Sequence, residues 1–163
     1  YALTATGNDV TLEDIARIAD VFYIGGTKVG AMFGEAVVFT HGNMPKNFVT
    51  LVKQHGALLA KGWLLGVQFD TLFTDDLYCR IARHANDAAD RIREVLVERG
   101  YTLTFDAPTN QIFITLDNAT SERLQRNVRL GFMEKADDTH TVMRICTSWA
   151  TTDEQVEQLI ALL

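Results

Sequence analysis

One stretch near the start of the chain combines residue types that can hold an anionic cofactor. Residues 21–34 read VFYIGGTKVGAMFG, a β-prone run followed by two glycines, Thr27 and Lys28. Glycines let the backbone approach a ligand closely, and the Thr27 hydroxyl can donate a hydrogen bond to a phosphate oxygen. The Lys28 amine can form a Schiff base with a carbonyl compound when desolvation and a nearby positive charge activate it. The alternative is a solvated surface lysine on a glycine-rich turn.

A second candidate is Arg144, which interrupts an otherwise apolar strand pattern in the segment VMRICTSW, residues 142–149. An unpaired buried charge is very unfavourable, so this arginine must find an acceptor or leave the core. The planar guanidinium fork suits a carboxylate, such as the α-carboxylate of an amino acid. The alternative is a salt bridge to Glu134, Asp137 or another nearby carboxylate.

The composition is that of a folded globular protein. A chain of 163 residues forms one domain or a piece of a larger protein. Apolar residues make up 47% of the sequence and only two residues are proline, which excludes a disordered chain. The net charge of −6, without a basic block, argues against nucleic acid as the main partner.

The cysteines, histidines and hydropathy exclude further classes of protein. Cys79 and Cys146 are far apart and form no CxxC motif, which indicates a reducing compartment. The four histidines lack metal-ligand spacing, and we find no signal peptide or apolar run of membrane-spanning length. We therefore expect a cytoplasmic protein that binds neither a metal ion nor a membrane.

The candidate lysine lies between two predicted strands. Val21–Ile24 and Glu35–Thr40 are continuous apolar runs, typical of strands that are buried on both faces, as in parallel α/β sheets. They are expected to lie side by side, with the turn that carries Lys28 between them. Helices are predicted after the N-cap residue Thr11, after Asn43-Met-Pro45 and along Leu58–Phe73.

The pattern changes in the region Gly62–Thr74, where we place a domain boundary. A long amphipathic helix follows from Leu77 and ends at Gly100. The remainder alternates with period two and reads as a small α+β unit. Its predicted elements are a hairpin of Tyr101–Phe105 with Ile112–Leu116, a helix Ser121–Leu130, strands Phe132–Glu134 and Thr141–Thr147, and a helix after the capping box Thr152–Gln155.

The segment Asp20–Phe39 resembles the cofactor-lysine segment of the threonine aldolase family. The matching features are a strand, Gly-Gly-Thr-Lys, a turn rich in small residues and a second apolar strand. The family belongs to the β-eliminating lyase group of pyridoxal 5′-phosphate (PLP) enzymes with the aspartate aminotransferase fold, fold type I. The resemblance covers the whole chain but only the C-terminal half of the family's length. It implies an α/β fold in which residues 1–73 end the sheet of the large PLP-binding domain and residues 74–163 form the small α+β C-terminal domain.

The resemblance also implies roles for the candidate residues. Lys28 would hold PLP covalently and act in catalysis, and Thr27 would lie at the cofactor edge, where its hydroxyl bonds the phosphate. The alternative for Thr27 is that it merely ends the strand. Arg144 matches a small-domain arginine that binds the substrate carboxylate in the family. Lys61 matches less well a basic stretch that reaches the phosphate of a neighbouring subunit, because Trp63 stands among the expected polar residues.

The implied reaction is cleavage of the Cα–Cβ bond of a β-hydroxy-α-amino acid, as of threonine to glycine and acetaldehyde, by a homodimer or homotetramer. β-Elimination is a related possibility. The family's phosphate loop, ring-stacking side chain and pyridine-binding Asp precede the segment matched here, so we expect a fragment that is inactive alone. The alternative is a non-catalytic α+β binding or oligomerisation module that retains a degenerate PLP segment.

Overall fold

The computed structural model describes all 163 residues, and the chain divides into two compact units. One unit is Asp9–Tyr78; the other combines Tyr1–Asn8 with Cys79–Leu163. The helices are α1 (Leu12–Ile18), α2 (Phe48–Gln54), α3 (Trp63–Phe73), α4 (Leu77–Glu98), α5 (Asn118–Gln125) and α6 (Asp153–Leu162). The strands are β1 (Val21–Gly25), β2 (Glu35–Phe39), β3 (Thr102–Leu103), β4 (Gln111–Asp117), β5 (Gly131–Lys135) and β6 (His140–Cys146). None of these helices has the length and apolar character needed to span a bilayer.

In the unit Asp9–Tyr78, the two predicted strands are neighbours, as expected, but they are not buried on both faces. β1 and β2 form a two-stranded antiparallel sheet, and Tyr23 in the middle of β1 is 70% exposed. The antiparallel direction follows from the short connection 26–34, because a parallel pair needs a longer crossover. The expectation from the apolar runs, strands buried as in a parallel sheet, is therefore wrong for this structure.

Of the helices of this unit, α1 begins at a side-chain N-cap, whereas α2 and α3 have none. Thr11 caps α1 through a capping box with Asp14, which confirms the predicted N-cap. The predicted helical run from Leu58 starts only at Trp63, after Gly62. Between α3 and α4 lies a 3₁₀ turn, Thr74–Asp76, in which Asp75 has φ +51° and Asp76 φ +57°. Aspartate is one of the few non-glycine residues that visits this left-handed region.

The second unit is built on a four-stranded antiparallel sheet with the order β3-β4-β6-β5. One face of this sheet packs on α4, α5 and α6, and the buried cluster contains Leu96, Ile112, Ile114, Leu124, Met143, Ile145 and Val156 among others. Both the predicted hairpin and the last two predicted strands are present. The long helix ends before Gly100, whose φ of +80° suits the left-handed C′ position, as predicted.

Leu96 lies at the centre of this core and is fully buried. We expect Leu96→Ala to lower the free energy of unfolding by about 2–5 kcal/mol, because it removes buried methyl groups and leaves a cavity. The neighbouring Val97 is 58% exposed, so Val97→Ala should change stability by only about 0.5 kcal/mol. Urea unfolding measures both, and equal losses would contradict the described packing of α4.

Candidate functional site

The turn that carries Lys28, residues 26–30, is held in place by one buried side chain. β1 ends at Gly25, and a 3₁₀ turn spans Thr27–Val29. The amides of Val29 and Ala31 both donate to the Gly26 carbonyl at 3.0 Å. Val29 is 3% exposed, whereas Thr27 and Lys28 are exposed. Since successive side chains on a 3₁₀ turn point about 120° apart, burying Val29 directs the Thr27 hydroxyl and the Lys28 amine away from the core, to the surface.

Glycine is required at two positions of this turn for different reasons. A Cβ at Gly26 would lie 2.8 Å from the Cβ of Ala31 and 3.0 Å from Cζ of Phe69, so a larger residue has no room. Gly30 has φ +99° and ends the 3₁₀ turn in the left-handed region. The glycine-rich sequence therefore shapes the Lys28 turn through packing and through backbone conformation.

Gly25 has neither constraint, and it marks open space at the end of β1. No atom lies within 4 Å of a Cβ built on Gly25, and its φ is not in the left-handed region. Tyr78 Oη donates to the Gly25 carbonyl at 2.8 Å, which fixes the end of the strand. Backbone accessible from this side, next to a threonine hydroxyl and a lysine amine, is an arrangement into which a phosphate-bearing carbonyl compound fits.

Arg144 lies in the middle of β6, between Phe113 of β4 and Gly131 of β5. Its one side-chain hydrogen bond runs from Nη1 to Oε1 of Gln111, at 3.1 Å. Its Nε is buried and has no hydrogen-bond partner. A buried N–H of a charged group without an acceptor is unfavourable, so the guanidinium retains unused donor capacity.

The alternative interpretation of Arg144, a salt bridge to Glu134 or Asp137, is not formed in the structure. The Asp137 carboxylate instead closes the turn between β5 and β6, where it accepts hydrogen bonds from the Thr139 hydroxyl at 2.8 Å and from the amides of Thr139 and His140 at 2.6 and 2.7 Å. These bonds, the Thr139 hydroxyl first, hold the pKa of Asp137 well below its ordinary value. The Arg144 guanidinium thus has no anionic partner in the chain.

Lys61 is exposed and lies in the turn before α3, and Trp63 is 64% exposed at the first position of that helix. No three His, Cys, Asp or Glu side chains lie together as metal ligands. Gln111 is the site residue that the sequence analysis missed. Its only sequence signal is its place in the period-two pattern of β4, which does not reveal which residue of β6 it meets.

The packing of the Lys28 turn predicts that alanine substitution lowers stability at one of two adjacent glycines and hardly changes it at the other. Gly26→Ala should lower the free energy of unfolding by about 1–3 kcal/mol, because the added methyl collides with Ala31 and Phe69. Gly25→Ala meets open space and should change it by less than about 0.5 kcal/mol. Denaturant unfolding of both variants tests this difference, and similar losses would contradict the described turn.

Comparison with known proteins identifies relatives of one kind. No protein-family model matches the chain. Low-specificity L-threonine aldolases of Pseudomonas aeruginosa and of another Pseudomonas species are each 30% identical to it, over 141 and 143 residues. These alignments cover 86% and 87% of this chain but 40% of each relative. The chain thus spans about two-fifths of the length of the curated relatives it matches.

Solved structures agree with these sequence matches. A threonine aldolase of Leishmania major superposes with a TM-score of 0.92 at 40% identity, over 99% of this chain and 47% of that one. Serine palmitoyltransferase of Sphingomonas wittichii superposes with a TM-score of 0.61 at 17% identity, over 97% of this chain and 42% of that one, which shows a shared fold. The predicted resemblance and the predicted α/β fold class are confirmed: the chain is a homologue of the C-terminal portion of the threonine aldolases and has the corresponding part of the fold type I architecture.

Proposed function

We propose that the protein containing this chain is a PLP-dependent aldolase that cleaves the Cα–Cβ bond of β-hydroxy-α-amino acids, converting threonine to glycine and acetaldehyde. The observation that carries the proposal is the superposition on a threonine aldolase over 99% of the chain at 40% identity. The two curated relatives are also threonine aldolases. Structures of serine palmitoyltransferase with PLP share the fold at TM-scores from 0.55 to 0.58.

Lys28 is the residue that would hold PLP, with Thr27 donating from Oγ1 to its phosphate. The buried Val29 and the crowded Gly26 fix the turn, and the space at Gly25 leaves its backbone approachable. When bound, PLP supplies an electron-withdrawing ring that stabilises negative charge at the substrate Cα. The Lys28 amine would also accept and return protons at Nζ.

Arg144 would bind the α-carboxylate of the amino acid. Its guanidinium has no anionic partner within the chain, and its Nε has no acceptor. A carboxylate supplies two oxygens in the geometry of the guanidinium fork, and a charge-assisted bidentate pair of this kind is strong. Holding the carboxylate fixes the orientation of the substrate and hence of the Cα–Cβ bond.

The domain assignment and the assembly belong to the same proposal. Residues 1–73 would be the end of the large PLP-binding domain, and residues 74–163 the small C-terminal domain. The active protein would be a homodimer or homotetramer. The residues that the family uses for the phosphate loop, the ring contact and the pyridine nitrogen precede the matched segment, so the chain alone would be inactive.

Reductive trapping tests the role of Lys28. The protein expressed from the complete gene is mixed with PLP and reduced with borohydride, and the modified peptide is mapped by mass spectrometry. We expect a pyridoxyl group on Lys28 that is absent from Lys28→Ala and retained in Lys61→Ala. The rate of threonine cleavage, measured as the acetaldehyde formed, should fall roughly 10²-fold or more in Lys28→Ala, because the proton-transferring amine is lost.

Circular dichroism of the two variants controls for folding. A folded protein that carries no adduct on Lys28 in excess PLP would contradict the enzyme proposal and favour the non-catalytic binding module. An adduct on Lys28 without threonine cleavage would retain the cofactor role and exclude the aldolase reaction.

A further inference from the structure

We propose that Gln111 is a positioning residue for Arg144. It holds Nη1 of the guanidinium, so that Nη2 is the donor that receives the substrate carboxylate. This inference rests on the proposed function, in which Arg144 binds the α-carboxylate of an amino acid. It adds which side of the guanidinium binds and which residue selects that side.

The register of the sheet brings the two side chains together. β4 and β6 pair so that Gln111 lies opposite Cys146 and Phe113 lies opposite Arg144. Side chains of paired residues, and of residues two apart along a strand, lie on the same face of an antiparallel sheet. Ile112 and the other core residues of β4 occupy the opposite face. Gln111 is thus a diagonal neighbour of Arg144 on the face away from the core, within reach of its side chain.

The hydrogen bonds of Arg144 are distributed unevenly over its guanidinium. Oε1 of Gln111 accepts from Nη1 at 3.1 Å. Nε is buried without a partner, and no hydrogen bond of the chain involves Nη2. The guanidinium is planar, with five donors in fixed directions, so pinning Nη1 also sets the direction of the other edge. Nη2 has no hydrogen bond and is not one of the buried donors, so it is the group left to bind a substrate carboxylate.

Nε lies beside the neighbour on the other strand. Gly131 of β5 lies opposite Arg144, and a Cβ built on it would be 3.5 Å from Nε, an ordinary van der Waals distance. Nε is also buried, so this side of the guanidinium is closed to a ligand. Gln111 occupies Nη1, and Nη2 is therefore the donor that remains for a ligand.

Ligand titration separates orientation of the carboxylate from general effects on the site. The PLP-loaded protein from the complete gene is titrated with glycine and with glycinamide, which lacks the carboxylate, and the absorbance of the bound cofactor is followed. Gln111→Leu removes the acceptor and keeps a similar volume. We expect its Kd for glycine to rise about tenfold, because the guanidinium is no longer held in one orientation, and its Kd for glycinamide to stay unchanged.

Two further variants complete the design. Arg144→Lys, which keeps the charge but loses the fork, should abolish the preference for glycine over glycinamide. Gln125→Leu is the matched control, since Gln125 donates to Ser121 Oγ at 3.0 Å on α5 and makes no hydrogen bond to Arg144. It should leave both constants unchanged. In threonine cleavage, Gln111→Leu should raise KM more than it lowers kcat.

The outcomes distinguish this inference from the proposed function. If Arg144→Lys loses the glycine preference while Gln111→Leu keeps it in full, the role of Gln111 is overturned and that of Arg144 stands. If Gln111→Leu weakens the binding of glycine and of glycinamide equally, its effect is structural and the inference is also overturned. If the parent protein shows no adduct on Lys28 and no response to glycine, the proposed function fails and the inference fails with it.

Discussion

The alternation of side chains along the paired strands β4 and β6 is the constraint from which the second unit and its candidate site follow. Ile112, Ile114, Met143 and Ile145 must all face the helices to close the core. Their direction forces Gln111, Phe113 and Arg144 onto the other face. A slip of one residue in this pairing would turn Arg144 into the core and the isoleucines out of it. The burial of the apolar residues thus specifies the position of the arginine.

A similar dependence links packing to chemistry in the unit Asp9–Tyr78. Val29 is buried, and the space around Gly26 is filled by Ala31 and Phe69. The exposed Thr27 and Lys28 are held by these contacts, which involve no group of either side chain. These contacts fix the backbone from which both side chains extend, which favours a defined cofactor position.

The homology and the site geometry support the proposed function in different ways. The threonine aldolases match nearly the whole chain in sequence and structure, whereas the serine palmitoyltransferases share its fold at much lower identity. A fold of this type hosts several reactions, so fold alone does not select one. The geometry contributes an amine and a hydroxyl on one ordered turn and, separately, a guanidinium without an anionic partner. These groups are of the kinds needed to bind a phosphate-bearing cofactor and an amino acid.

The sequence by itself determined the features that depend on residues close together in the chain. The N-cap at Thr11, the capping box at Thr152, the end of α4 before Gly100 and the alternation of the later strands all join residues within a few positions of one another, where propensity and hydrogen bonding act locally. The motif around Lys28 likewise carried the family resemblance within one continuous segment.

Only the tertiary structure decided the features that join distant residues. The apolar runs of β1 and β2 did not reveal an antiparallel pair with an exposed face, because an apolar side chain does not encode which surface covers it. The contact between Gln111 and Arg144 spans 33 positions, and it depends on strand register. Register is set by the packing of the whole core, which explains why the acceptor of Arg144 proved to be a glutamine amide and not one of the nearby carboxylates.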